Sequence, residues 1–383
     1  MRTLIQGVRV FTGEEALPGA DVLIEDGRIG TPDGGRVDET VPGAGRTLLP
    51  GLIDAHVHVS DGSLEQALSY GVTTELDMFC LPDNLARQRR LAADRHDVAD
   101  LRSSGVLATA PGGHPSQIMA NVPPELGGEF DTVAGPGDAA AFVAARVAEG
   151  VDYLKVVIDH GTTAGADLPV LTPDTVAALT EAAHAAGLRV IAHAASAADT
   201  KIALDAGVDG LAHVPFDAAP EEATDLVARC AAENVFVVST LVYVEWLSSG
   251  QANPAQTATP LHLDDAMTIT GMLAGAGVRL LAGTDANLWH PQHGVSLHRE
   301  LELLVQAGLT PTQALAAATS IPAATFDLTD RGRIAPGLRA DLLLVEGDPT
   351  TDITATAAIA AVWRGGTRLT LPHGRPEVQV GPK

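Results

Sequence analysis

Through the middle of the chain, short apolar runs alternate with longer amphipathic or alanine-rich stretches, and the boundary between them recurs in one form. A helix-like segment ends in glycine, once in asparagine, and valine or leucine then opens the next run. The boundaries are Gly71-Val72, Gly105-Val106, Gly150-Val151, Gly187-Leu188, Gly207-Val208, Asn234-Val235 and Gly277-Val278. Glycine and asparagine enter the left-handed conformation that closes a helix, so each pair is read as a helix end feeding a strand. The runs that follow, such as VDYLKVVI, LRVIAHA and VFVVSTL, are β-branched and apolar on both faces, as parallel strands covered on both sides should be. Between them lie stretches such as PDTVAALTEAAHAA, where Pro173 suits a first helical position. With the run Leu52–His58 added at the start, the strands number eight.

Eight strand-then-helix units over residues 51–333 predict an α/β protein built on a (β/α)8 TIM-like barrel. The boundaries stand 20 to 45 residues apart, which excludes a solenoid of fixed period. A doubly wound open sheet is the alternative, but no GxGxxG or GxxxxGK[ST] follows a strand. The two ends alternate in strand fashion instead, in LIQGVRVF and ADVLIEDGRI at the start and ADLLLVEG and IAAVWRGG near the finish. They predict one small β-sandwich domain made from residues 1–50 and 334–383, with the last dozen residues a loose tail.

Composition narrows the partners. Lys plus Arg is 24 and Asp plus Glu is 48, a net charge of −24, which repels phosphate backbones and anionic lipid surfaces. With 3 Trp, 3 Tyr and 7 Phe in 383 residues, few rings are left for stacking bases. Cys80 and Cys230 make neither a disulfide framework nor a CxxC metal site. The start has no long apolar segment, and no uncharged apolar run reaches about 18 residues. A soluble, cytoplasmic protein is expected, with no nucleic-acid or membrane partner and homo-oligomer formation left open.

Barrel enzymes carry their chemistry at the C-terminal ends of the strands. The first strand ends Asp54-Ala-His56-Val-His58, and alternation puts His56 and His58 on one face, where two imidazoles can chelate a metal ion. A pair of hydrogen-bonded core histidines is the other reading. His193 and His213 each stand six residues after their glycine, and Asp285 eight after Gly277, so all three fall at exits of separate strands. Lys155 is one of three lysines against 21 arginines, and it sits inside a strand, where burial favours the neutral amine. Such an amine can take up carbon dioxide as a carbamate; the alternative is a snorkelling lysine or one paired with Asp159. No other Lys or Arg gathers at the strand exits, so a phosphate or polyanionic substrate is not indicated. His114, after the third strand, and Tyr243, after the seventh, are candidates to contact a substrate carbonyl, each with a surface or packing role as the alternative. Trp246–Pro260 has the composition of a lid, and His298 reads as structural.

GLIDAHVH, the strand lysine, the two single histidines, the TD of GTDAN and the closing GRIAPGLRADLLLVEGDP together resemble the amidohydrolase superfamily across nearly the whole chain. Within it the chain is similar to the imidazolonepropionase-like and Xaa-dipeptidase-like hydrolases. The resemblance implies one divalent ion, zinc for preference, held by His56, His58 and Asp285, and a second held by His193 and His213. A carboxylated Lys155 would bridge the two. It further implies cleavage of an amide, peptide-like or N-acyl amino acid, by a metal-activated hydroxide with Asp285 as general base and then acid. A lactone or ester hydrolase, or a mononuclear deaminase, is the alternative within the superfamily; Lys155 argues against the deaminase. A scaffold that has lost catalysis should also have lost ligands, and the set is complete.

Overall fold

The computed structural model describes residues 1–119, 122, 127–160, 167–249 and 262–370. Five strands come first: β1 (Arg2–Phe11), β2 (Ala16–Glu25), β3 (Arg28–Gly30), β4 (Glu39–Pro42) and β5 (Arg46–Pro50). The next eight are β6 (Leu52–Val57), β7 (Val72–Asp77), β8 (Asp100–Ser103), β9 (Leu154–Val157), β10 (Val190–His193), β11 (Gly210–Ala212), β12 (Phe236–Val238) and β13 (Leu280–Leu281). Three follow near the end: β14 (Leu342–Glu346), β15 (Ile359–Arg364) and β16 (Thr367–Arg368).

The glycine boundaries act as caps at most positions. After the helix Pro173–Ala185, Gly187 takes φ 76° and Leu188 returns its N–H to Ala183 O at 2.9 Å, closing the last turn. Asn234, at φ 59°, lets Val235 do the same to Cys230 O after the helix Pro220–Ala232. Strands then open at the expected residue (Val72) or within three residues of it (Leu154 after Val151). Gly105 departs from the pattern. The helix before it ends at Asp94 and β8 already opens at Asp100, so its left-handed backbone is a bend within the third strand, not a cap. A side chain there would stand 2.8 Å from Val151 Cγ1. Beyond the bend the strand resumes, and Ala108 exchanges N–H and C=O bonds of 2.8 and 2.9 Å with Lys155 and Val157.

The eight middle strands are all parallel, but they form two sheets rather than one continuous ladder. One is β13-β12-β11-β10-β9 and the other β6-β7-β8. Both seams carry backbone hydrogen bonds: the exchange at Ala108 on one side, and Ala55 N to Ala282 O and His58 N to Ala286 O on the other. The ladder breaks there because β8 is bent and β13 has only two residues. On the inner face, Ile53, Leu76, Tyr153, Ile191, Ala212, Phe236 and Leu281 pack as one buried cluster, closed below by Ala323 and Leu328. Residues two further along β9 and β10, Lys155 and His193, follow the same face upward.

Both ends of the chain enter a single eight-stranded sheet, ordered β16-β15-β14-β5-β1-β2-β3 with β4 beside β1. Its hinge is β5 against β14, antiparallel from Arg46–Glu346 to Pro50–Leu342. Period-two alternation gives this sheet two apolar faces. Leu48, Leu342, Leu344 and Trp363 join one core, whereas Leu49, Leu343, Val345 and Val362 join the large core shared with the helices. The segment after β12 is a helix, Leu241–Ser248, so Tyr243 and Trp246 project from its turns rather than from a strand end. Residues 250–260 of the stretch read as a lid, and the expected tail 372–383, lie outside the described residues. Among the described residues no helix is long and apolar enough to cross a membrane.

Candidate metal centre

Five of the predicted ligands converge at one end of the parallel strands. His58 Nε2 stands 2.9 Å and His56 Nε2 3.4 Å from Asp285 Oδ1, and their candidate ligand atoms all lie within 4.8 Å of one another. The pairing of β6 with β7 has a register shift between Asp54 and Val57, the stretch that carries His56. His193 Nδ1 and His213 Nε2 meet at 3.0 Å, and His213 Nε2 is 4.0 Å from Asp285 Oδ2, so the second pair adjoins the first. His213 (φ 79°) and Asp285 (φ 58°) are both left-handed, a conformation most side chains avoid, and it is this turn at each strand exit that aims them inward.

Lys155, on β9, is buried and lines the same cavity, and its Nζ has no hydrogen-bond partner among the described residues. It is not paired with Asp159, whose Oδ2 faces His193 Nε2 at 3.6 Å and His114 Nδ1 at 4.0 Å. These last three residues form a second group with ligand geometry, which shares His193 with the His193–His213 pair. His114 therefore lies beside the centre, its ring stacked 5.3 Å from that of His193, and not within the His56–His58–Asp285 cluster. Tyr243 lines the cavity with its ring 6.2 Å from that of His213.

The residues bracing this centre are mostly ones the sequence gives no reason to select. Asp54 accepts from His56 N–H (3.2 Å), Thr284 N–H (3.0 Å) and Thr284 Oγ1 (2.7 Å), and so ties the strand of the two histidines to the loop of Asp285. Thr240 Oγ1 meets His213 Nδ1 at 2.7 Å and fixes the ring. Behind them Glu75 Oε1 and His293 Nδ1 form a buried pair at 2.7 Å. Only the position of Asp54 and Thr284 next to ligand-type residues hints at this in the sequence.

Electrostatics leave the donors ready for a cation. Burial, then the nearby Lys155, pushes the His56 imidazole well below its usual range; burial and His193 do the same to His213. Burial alone would raise the Asp285 carboxyl, but His56 and His58 outweigh it and hold it well below the usual range. Burial lowers Lys155 to about 7, with Asp285 opposing. Neutral imidazoles and an ionised carboxylate are the protonation states that bind a borderline divalent metal. His56 Nδ1 and Lys155 Nζ are also buried donors lacking partners, so the residues fit such an ion.

The profile of the amidohydrolase family matches residues 47–370. An adenine deaminase of Desulfatibacillum aliphaticivorans is 27% identical over 355 residues, which is 89% of this chain and 54% of that protein. An imidazolonepropionase of Deinococcus radiodurans is 26% identical over 369 residues, 85% of this chain and 84% of its own length. Among solved structures, a Xaa-Pro dipeptidase with bound methionine superposes with a TM-score of 0.81 over 96% of this chain and 99% of that one, at 21% identity. At that identity the likeness speaks to the fold.

Proposed function

This chain belongs to the amidohydrolase family, and from that premise we propose a metal-dependent hydrolase that cleaves the carbon–nitrogen bond of an amide of the peptide-like or N-acylated class. The observation that carries the reading is the meeting of His56, His58 and Asp285 beside the His193–His213 pair, with an unpartnered Lys155 Nζ in the same wall. In this reading the eight parallel strands close into a (β/α)8 barrel over residues 51–333. Residues 1–50 and 334–383 make the accompanying β-sandwich domain.

His56, His58 and Asp285 would hold one divalent ion and His193 and His213 a second, with zinc suited to this nitrogen and oxygen donor set. When bound, such an ion lowers the pKa of water to about 7 and polarises a carbonyl. The protein's own residues do the rest. Asp285, kept ionised by the imidazoles around it, accepts the proton of the attacking water and returns it to the departing amine nitrogen, base first and acid afterwards. His114, from the loop after the third strand, and Tyr243, from the helix Leu241–Ser248, both line the cavity, where each can donate to the scissile carbonyl or to the oxyanion it becomes. Lys155, buried and unpaired, is placed to carry a carbamate. Its nitrogen lone pair bonds to the carbon of carbon dioxide and one proton departs, leaving a carboxylate between the two donor groups.

The test is a release assay with the zinc-loaded protein on paired amides and esters, alongside metal analysis of the wild type and His56→Ala. Amine release that disappears together with bound metal supports the reading. Metal content and activity that survive His56→Ala would falsify it. A deaminase is the second reading, favoured by the adenine deaminase relative; ammonia release from adenine in the same assay, with inert amides, would replace the first.

A further inference from the structure

The cavity over these candidate ligands has a largely apolar lining. Phe79, Leu81, Ile118, Met119, Leu288 and Trp289 all line it. Among the described residues lining it, the single Lys or Arg is Lys155, already committed to the ligand cluster.

The two side-chain amides of the lining are spent within the protein. Asn84 donates to Val59 O and accepts from Arg87 and Gln88. Asn287 donates to Asp285 O and His290 O and accepts from the N–H groups of Trp289 and His290. The bonds of Asn287 also pin the loop that carries Leu288 and Trp289, which are 42% and 50% exposed although both are large and apolar. Deeper in, the rings of His213, Tyr243, Trp246 and His290 follow one another at 6.2, 5.9 and 5.4 Å. An exposed apolar pair continuous with a cavity is what a ligand's apolar group covers.

We propose that the site takes amides whose flanking groups are neutral and hydrophobic, aromatic for preference, and discriminates against those bearing a free carboxylate next to the scissile bond. This rests on the amide-hydrolase reading and narrows it: within the peptide-like and N-acylated class it selects members whose carboxylate is absent or capped. A carboxylate seated against Leu288 and Trp289 would lose hydration with no Lys or Arg beside it among the described lining residues. The net charge of −24 adds to the penalty on approach. Metal ions among the histidines would face the scissile carbonyl and leave the far flank unserved.

The test uses the zinc-loaded full chain and two ligands that differ by one carboxylate, N-benzoyl-phenethylamine and N-benzoyl-phenylalanine. Stopped-flow quenching of tryptophan fluorescence, in which Trp246 and Trp289 report, gives binding before turnover. The neutral amide should bind at least about ten-fold more tightly, and Leu288→Arg should shrink that ratio several-fold by supplying the missing cation. Equal or tighter binding of the carboxylate by the wild type, quenching by neither ligand, or a ratio unmoved by Leu288→Arg overturns the inference. Amine release is followed in parallel to keep the two readings apart. Tight binding of the neutral amide with no amide cleaved upholds the selectivity and sinks the hydrolase.

Discussion

Lys155 Nζ is buried without a partner, and a polar group left so costs a fold about 1–3 kcal/mol. Lys155→Met keeps much of the volume and removes the polar head. It is expected to raise the melting temperature of the metal-free protein by about 1–3 °C while abolishing hydrolysis. Calorimetry beside an amine-release assay checks both halves, and a lower melting point would mean that the amine is stabilising where it stands. Lys155→Arg should be equally inactive, since a guanidinium stays cationic and cannot form a carbamate. Asp285→Asn, which keeps the shape but cannot accept the proton, should lower kcat by about 10²–10⁴-fold; single-turnover kinetics with the metal content measured in parallel separates loss of the base from loss of the ion. Side chains of this kind are legible from sequence, because imidazole and carboxylate at strand exits announce their chemistry by type and place. Asp54, Thr240 and Thr284 are not. A bracing hydrogen bond is defined by what it meets, and Asp54 meets Thr284 across 230 positions.

Between the helix Val295–Gln306 and the start of the helix Leu241–Ser248 lies Glu300, fully buried, meeting Ser239 Oγ and accepting from Val242 N–H at 2.7 Å. Burial pushes this carboxyl up from 4.5 to about 7, against those hydrogen bonds. The raised value means that the protonated group stabilises the fold. Its contribution is full below about pH 4.5 and is lost as the pH climbs through 7. Wild-type stability should therefore fall by about 1–3 kcal/mol between pH 5 and pH 8, and Glu300→Gln should flatten that part of the profile. Urea midpoints at the two pH values measure it. At this scale the helix caps are readable because a left-handed glycine followed by an apolar residue has a local cause. The third strand is misread for the same reason: Gly105 has the cap's backbone and the cap's neighbour, and only packing against Val151 makes it a bend.

Across the molecule, Asp100 at the start of β8 binds Arg331 and Arg339 (2.9 Å), with Arg364 of β15 at 3.7 Å, and so clasps the parallel strands to the sheet made by the termini. Burial would raise this carboxyl, but Arg331 and Arg339 hold it well below its usual value. The clasp is thus complete above about pH 4 and weakens in acid. Asp100→Asn should cost about 2–4 kcal/mol at pH 7, less than an isolated buried charge because Arg331 keeps Asp330; denaturation curves should show a smaller gap between wild type and variant at pH 3 than at pH 7. The seam where His58 meets Ala286 and Asp285 meets His56 has a different kind of consequence. It joins the first of the parallel strands to the last, so two of the candidate ligands, His56 and His58, are made early in synthesis and the third, Asp285, some 230 residues later. A nascent chain emerging N-terminus first carries two histidines that cannot yet close a binding site. On the metal-dependent reading proposed above, an ion could be captured fully only once the last of the parallel strands has left the ribosome, which would make its uptake a report of their assembly.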